Sequence, residues 1–157
     1  MLNSWLHLIA LTVYLGAIVG LWTMLLPALS GIKDHEARVK LFARGLKLYN
    51  PLQTGALGLL VISGALQLTH LKAAYRELFA KEFGATLGLK LALSFVLIVL
   101  SVYQSMAVAH RFVRRYEGEE PITLQDLESV ARRLRLSTLA ILLLVLITAF
   151  VGVRMRG

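Results

Sequence analysis

Cysteine is absent from all 157 residues, which excludes disulfides, thiolate metal sites and a cysteine nucleophile while leaving the compartment open. Acidic residues are scarce as well: nine Asp and Glu stand against seventeen Lys and Arg. None of the nine falls in the four long apolar stretches of the chain. There is no glycine-rich phosphate loop, no Ser-His-Asp order and no acidic metal motif, so hydrolytic chemistry has no foundation. Internal repeats, low-complexity tracts and a soluble domain are missing too. No Lys or Arg precedes the first apolar run, which is also longer than the core of a signal peptide, so that run is expected to be a span.

What is present is hydrocarbon. Hydrophobic residues make up 57% of the chain and the mean hydropathy is +0.70, too apolar for a soluble domain of this size. The apolar stretches cover residues 5–29, 51–71, 83–109 and 136–153. At about 1.5 Å per residue each is long enough to cross about 30 Å of hydrocarbon. A bilayer offers the backbone no hydrogen-bond partner, so each must be helical. The expected fold is all-α: one integral membrane domain over 1–157, an antiparallel four-helix bundle.

The formal charge of +8 raises the question of nucleic acid, but the cations are spread between the spans and do not form one soluble face. They read as topology signals. The segments 30–50 and 111–135 hold eleven of the seventeen, and 72–81 with 154–156 hold five, leaving Lys90 alone inside a span. By the positive-inside rule both termini then lie on the outer, periplasmic side of the cytoplasmic (inner) membrane. The expected partners are the lipid bilayer and a second copy or a larger membrane complex, not nucleic acid.

Local patterns refine this layout. Gly16 and Gly20 form a Gly-x-x-x-Gly pair suited to close helix approach. Between Lys33 and Leu48, Val39, Phe42 and Leu46 recur at helical steps among cations, with Asp34 as N-cap, which predicts a short interfacial helix. Asn50-Pro51 then restarts the chain as the second span. That span carries Gly55, Gly58, Gly64 and a polar line of Ser63, Gln67 and His70. Tyr75 and Phe79 suit the outer headgroup level. The third span repeats the polar line in Thr86, Lys90, Ser94, Ser101 and Ser105, and ends near Gln104, His110, Arg111 and Arg114. Thr123 and Asp126 resemble a capping box, opening one long helix from Ile122 past Phe150 whose inner-side part covers about 122–135.

The candidate site follows from the tracing. His7, His70 and Lys90 come from three helices and all fall near the outer surface, whereas His35 and His110 belong to the inner side. An ionisable group inside a span costs about 2.5–3.5 kcal/mol and is by default functional. Lys90 either snorkels to the outer headgroups or pairs with an anion held between the helices, such as a haem propionate, a substrate carboxylate or a lipid phosphate. Each histidine alone is satisfied by a carbonyl or water. Two near one level suit a bis-His haem b. Copper wants softer ligands, yet Met24 and Met106 trace to the inner side and only Met1 and Met155 remain outward.

Trp5-Leu6-His7 with Leu15-Gly16-Ala17, Asn50-Pro51-Leu52 leading to Val61-Ile62-Ser63-Gly64, and Phe83-Gly84 followed by Leu89-Lys90-Leu91-Ala92-Leu93 together resemble the CopD-like copper-resistance membrane domain. The chain is also similar to the related HemJ-like membrane proteins, which share a histidine early in span one and a lysine in span three. The resemblance implies a four-helix inner-membrane bundle, with copper uptake or handling on the CopD-like side. On the HemJ-like side it implies b-type haem and protoporphyrinogen oxidation. His7 and Lys90 are the matched positions. Pro27-Ala28 stands where HemJ-like chains have Pro-Arg, and Gly88 where a His or other large residue is expected, so the enzyme activity is not carried over. Three readings stand: a membrane redox protein holding haem b through His7 and His70 with Lys90 on a propionate, a copper transporter or carrier, and a non-catalytic accessory subunit.

Overall fold

The computed structural model describes residues 2–74 and 82–154, with side chains described outside 71–83. The proposed interfacial aromatics Tyr75 and Phe79, and the outward Met1 and Met155, lie outside the described residues. Every regular element among the described residues is helical. The first rod is α1 (Leu2–Gly20), a π-helical turn (Leu21–Leu25) and α2 (Leu26–Ser30). Then come α3 (His35–Ala74), α4 (Glu82–Val102), a π-helical stretch (Tyr103–His110), α5 (Arg111–Glu117) and α6 (Leu124–Arg154). These elements merge into four helices long and apolar enough to cross a membrane, the length and composition of a multi-pass membrane protein.

The widened turns have physical reasons. Pro27 has no N–H, and its ring crowds the carbonyl one turn back. The preceding turn opens accordingly, with Leu26 N–H bonding back to Leu21 O. The second π stretch carries Gln104 and Ser105, both buried. Its changed register turns these polar side chains inward.

The structure departs from the sequence reading at Pro51. In place of a separate interfacial helix and a restart, α3 runs unbroken for 40 residues with Pro51 inside it. Local propensity favours a break there, but packing overrides it. Tyr49 and Gln53 on either side are buried, and Asn50 Oδ1 accepts a hydrogen bond from Ser105 Oγ. The start of α3 is the capped one expected, with Ala37 N–H donating to Asp34 Oδ2 at 3.1 Å.

Two apolar clusters hold the helices. One gathers Leu26, Leu29, Phe42, Leu46, Phe112, Leu127 and Leu134, with the Phe42 and Phe112 rings edge to face at 4.9 Å. The other joins Tyr14, Ile18, Leu57 and Ile141. Outside them the surface stays apolar, with Trp5, Phe95 and Phe150 each about two-thirds exposed, as lipid-facing residues are. Gly16 and Gly20 have nothing within 4 Å of where a Cβ would sit, so among the described residues no helix packs on that pair. The close approach falls at Gly45, where a Cβ would meet Leu25 Cδ1 at 2.5 Å.

Candidate functional site

His7 and Ser63 meet between α1 and α3. His7 Nδ1 lies 2.8 Å from Ser63 Oγ, and Asn3, one turn earlier on α1, donates from Nδ2 to Ser63 O at 3.2 Å. Gly64 completes the seat: a Cβ there would stand 3.7 Å from His7 Cε1. Ser63 Oγ is itself 2.7 Å from Leu59 O and 3.2 Å from Leu60 O. Those carbonyls only accept, so they take the single Ser63 hydroxyl proton and leave its oxygen to accept from the imidazole. His7 Nδ1 is therefore the protonated nitrogen. Nε2 keeps its lone pair, which is the arrangement of a histidine ligand oriented by a hydrogen bond from its other nitrogen.

Lys90 stands on α4, facing α6. Its Nζ would lie 3.4 Å from a Cβ placed on Gly152 of α6. Glycine at 152 thus leaves room for the ammonium group between α4 and α6. No carboxylate among the described residues is ion-paired with it. Asn3 adds a buried Oδ1 without a hydrogen-bond partner. These helices accordingly offer an imidazole nitrogen, a cation and an unused acceptor.

His70 is placed differently from the shared level expected of it. It is exposed and stands seven residues beyond Ser63 on the same helical face, about 10 Å along the axis. The structure brings His7 to Ser63, and sets His70 about two turns further along α3 than that pair. On the opposite end, His35 donates from Nε2 to Ile122 O at 2.8 Å, and His110 is exposed. Among the described residues no three His, Cys, Asp or Glu side chains gather as a metal cluster.

Sequence reasoning missed a second polar centre, buried at mid-depth. Gln104 Oε1 accepts from Gln53 Nε2 at 3.1 Å and from Tyr49 Oη at 3.4 Å, while its Nε2 donates to Thr138 Oγ1 at 2.7 Å. Tyr14 and Ser101 pair beside it through their hydroxyls at 2.5 Å. Ser101 donates onward to Leu97 O at 2.8 Å, which makes Tyr14 the donor of the pair. Gln53 Oε1 has no partner. Ser101 and Ser105 were visible as part of a stripe; Gln53, Tyr14 and Thr138 were not, because only helix rotation aims them at one another.

Comparison of the chain with protein-family models, with curated proteins and with solved structures finds no match.

Proposed function

We propose that the chain is a small inner-membrane redox protein that holds haem b near the outer end of an antiparallel four-helix bundle, both termini outside, in electron transfer or another haem-linked role. His7 through Nε2 and, further along α3, His70 would hold the iron, and Lys90 would pair with a propionate. The observation that carries the reading is the Ser63 hydroxyl, which holds the His7 imidazole by Nδ1 and so leaves the lone pair on Nε2. An ammonium ion-paired with no carboxylate among the described residues suits an anionic cofactor edge. The resemblance of the quoted motifs to HemJ-like and CopD-like chains points the same way at His7 and Lys90. The haem supplies one-electron chemistry when bound; the chain supplies the ligand, its orientation and the neutralising charge.

Expression with ample haem, followed by an absorption spectrum and metal analysis of the detergent-purified protein, tests this directly. The reading expects a Soret band that His7→Ala abolishes. His70→Ala retains the haem and changes its spin state. Stoichiometric copper without a porphyrin spectrum would move the assignment to the copper-handling alternative.

One observation favours a second reading, an accessory subunit of a larger membrane complex. The open space over Gly16, Gly20, Gly55 and Gly58 suits close packing by helices of another chain. In that case changing His7, His70 and Lys90 together leaves assembly and partner activity intact, while Gly16→Leu disrupts them.

A further inference from the structure

Between the first and last helices runs a surface groove of about 640 Å³ lined by Trp22, Thr23, Pro27, Arg135, Leu136 and Leu139. Its composition changes along its length. Arg135 stands where the basic segment of α6 meets the apolar span, and Arg132, three residues earlier, lies on the same helical face. Beyond Arg135 that face continues as Leu136, Leu139 and Leu143, all exposed. On the facing wall, the π turn and Pro27 present Trp22, itself 40% exposed, and the proline ring.

The guanidinium of Arg135 is exposed and ion-paired with no carboxylate among the described residues. Two cations near this end are engaged, Lys47 with Glu117 at 2.5 Å and Arg115 with Glu120 and Asp126, whereas Arg132 and Arg135 are ion-paired with no carboxylate among the described residues. A fork of donors above a hydrocarbon channel matches a molecule with an anionic phosphate above acyl chains. Arginine binds phosphate bidentately, and basic pockets between membrane helices are suited to anionic headgroups. The distance from Arg135 to Leu143, about 12 Å along the helix, is long enough to seat much of an acyl chain.

We propose that this groove is a specific site for one anionic phospholipid, with its phosphate on Arg135, Arg132 close by, and an acyl chain lying between Leu136, Leu139 and the Trp22–Pro27 wall. The site is independent of the haem reading. It depends on neither His7 nor Lys90, and lies where the basic segment joins the fourth span.

Native mass spectrometry of the full chain, in mixed micelles holding equal phosphatidylglycerol and phosphatidylcholine, tests it. The wild type is expected to retain phosphatidylglycerol about tenfold over phosphatidylcholine, equivalent to about 1.4 kcal/mol. Arg135→Gln brings the two to parity, and Lys40→Gln, which removes an exposed cation elsewhere, leaves the preference unchanged. Leu139→Trp keeps every charge but fills the channel, and lowers retention of phosphatidylglycerol about tenfold. Equal retention of the two lipids by the wild type overturns the proposal. So does an equal loss on Lys40→Gln, which would signify general attraction between a basic end and anionic lipid, or undiminished retention in Leu139→Trp.

Discussion

Replacing Ser63 with alanine removes the acceptor that holds the His7 Nδ1–H, while leaving the imidazole itself in place. If His7 is the ligand, losing the residue that orients it is expected to weaken haem binding by about 10- to 100-fold. Haem titration of the Ser63→Ala protein checks this, and an unchanged affinity argues that the hydrogen bond serves packing alone. Gln104 gives a contrasting test at the other polar centre. Gln104→Leu strands Gln53 Nε2 and the Tyr49 hydroxyl in a buried setting. A loss of about 3 kcal/mol in unfolding free energy is expected, because each buried polar group left unpaired costs about 1–3 kcal/mol. Denaturation of the detergent-solubilised protein reads it, and the haem spectrum, if one is present, stays in position because the two centres share no side chain.

At the scale of the element, glycine has two meanings in this chain that only the packing distinguishes. Gly45 lies under Leu25, whereas Gly16 faces open space. Gly45→Val is therefore expected to destabilise by about 2 kcal/mol through overpacking. Gly16→Ala is expected to stabilise the isolated chain by up to about 1 kcal/mol through helix propensity. Thermal unfolding of both variants checks the pair, and equal effects would contradict the distinction. The same limit explains what was legible in the sequence. The four apolar runs revealed the long helices, and Asp34 revealed the start of α3. Asn50-Pro51 misled, because proline's local preference for a helix start is outweighed here by the buried Tyr49 and Gln53. The π turns were hidden: they rest on how Pro27 and the buried Gln104 and Ser105 fit their neighbours, and no periodicity in the chain records that.

At the scale of the whole molecule, the proposed topology rests on charge asymmetry, and the absence of cysteine makes it simple to test. Ser4→Cys, at an exposed position on α1, is expected to react with a membrane-impermeant maleimide in intact cells. Glu119→Cys, in the turn after α5, is expected to react only after permeabilisation. The reverse pattern would invert the topology and move His7 and Lys90 to the inner side. The site was legible only in part. His7 and Lys90 stood out as ionisable groups in apolar surroundings, but Ser63 was just one member of a polar line. The offset of His70 follows from its distance from Ser63 along α3, which sequence cannot relate to His7 until the helices are paired.

The most direct test of the account is the absorption spectrum of the purified, haem-supplied protein alongside its His7→Ala variant. The account predicts a Soret band with haem near one per chain in the first and none in the second. A colourless wild type, or a band that survives His7→Ala undiminished, contradicts it.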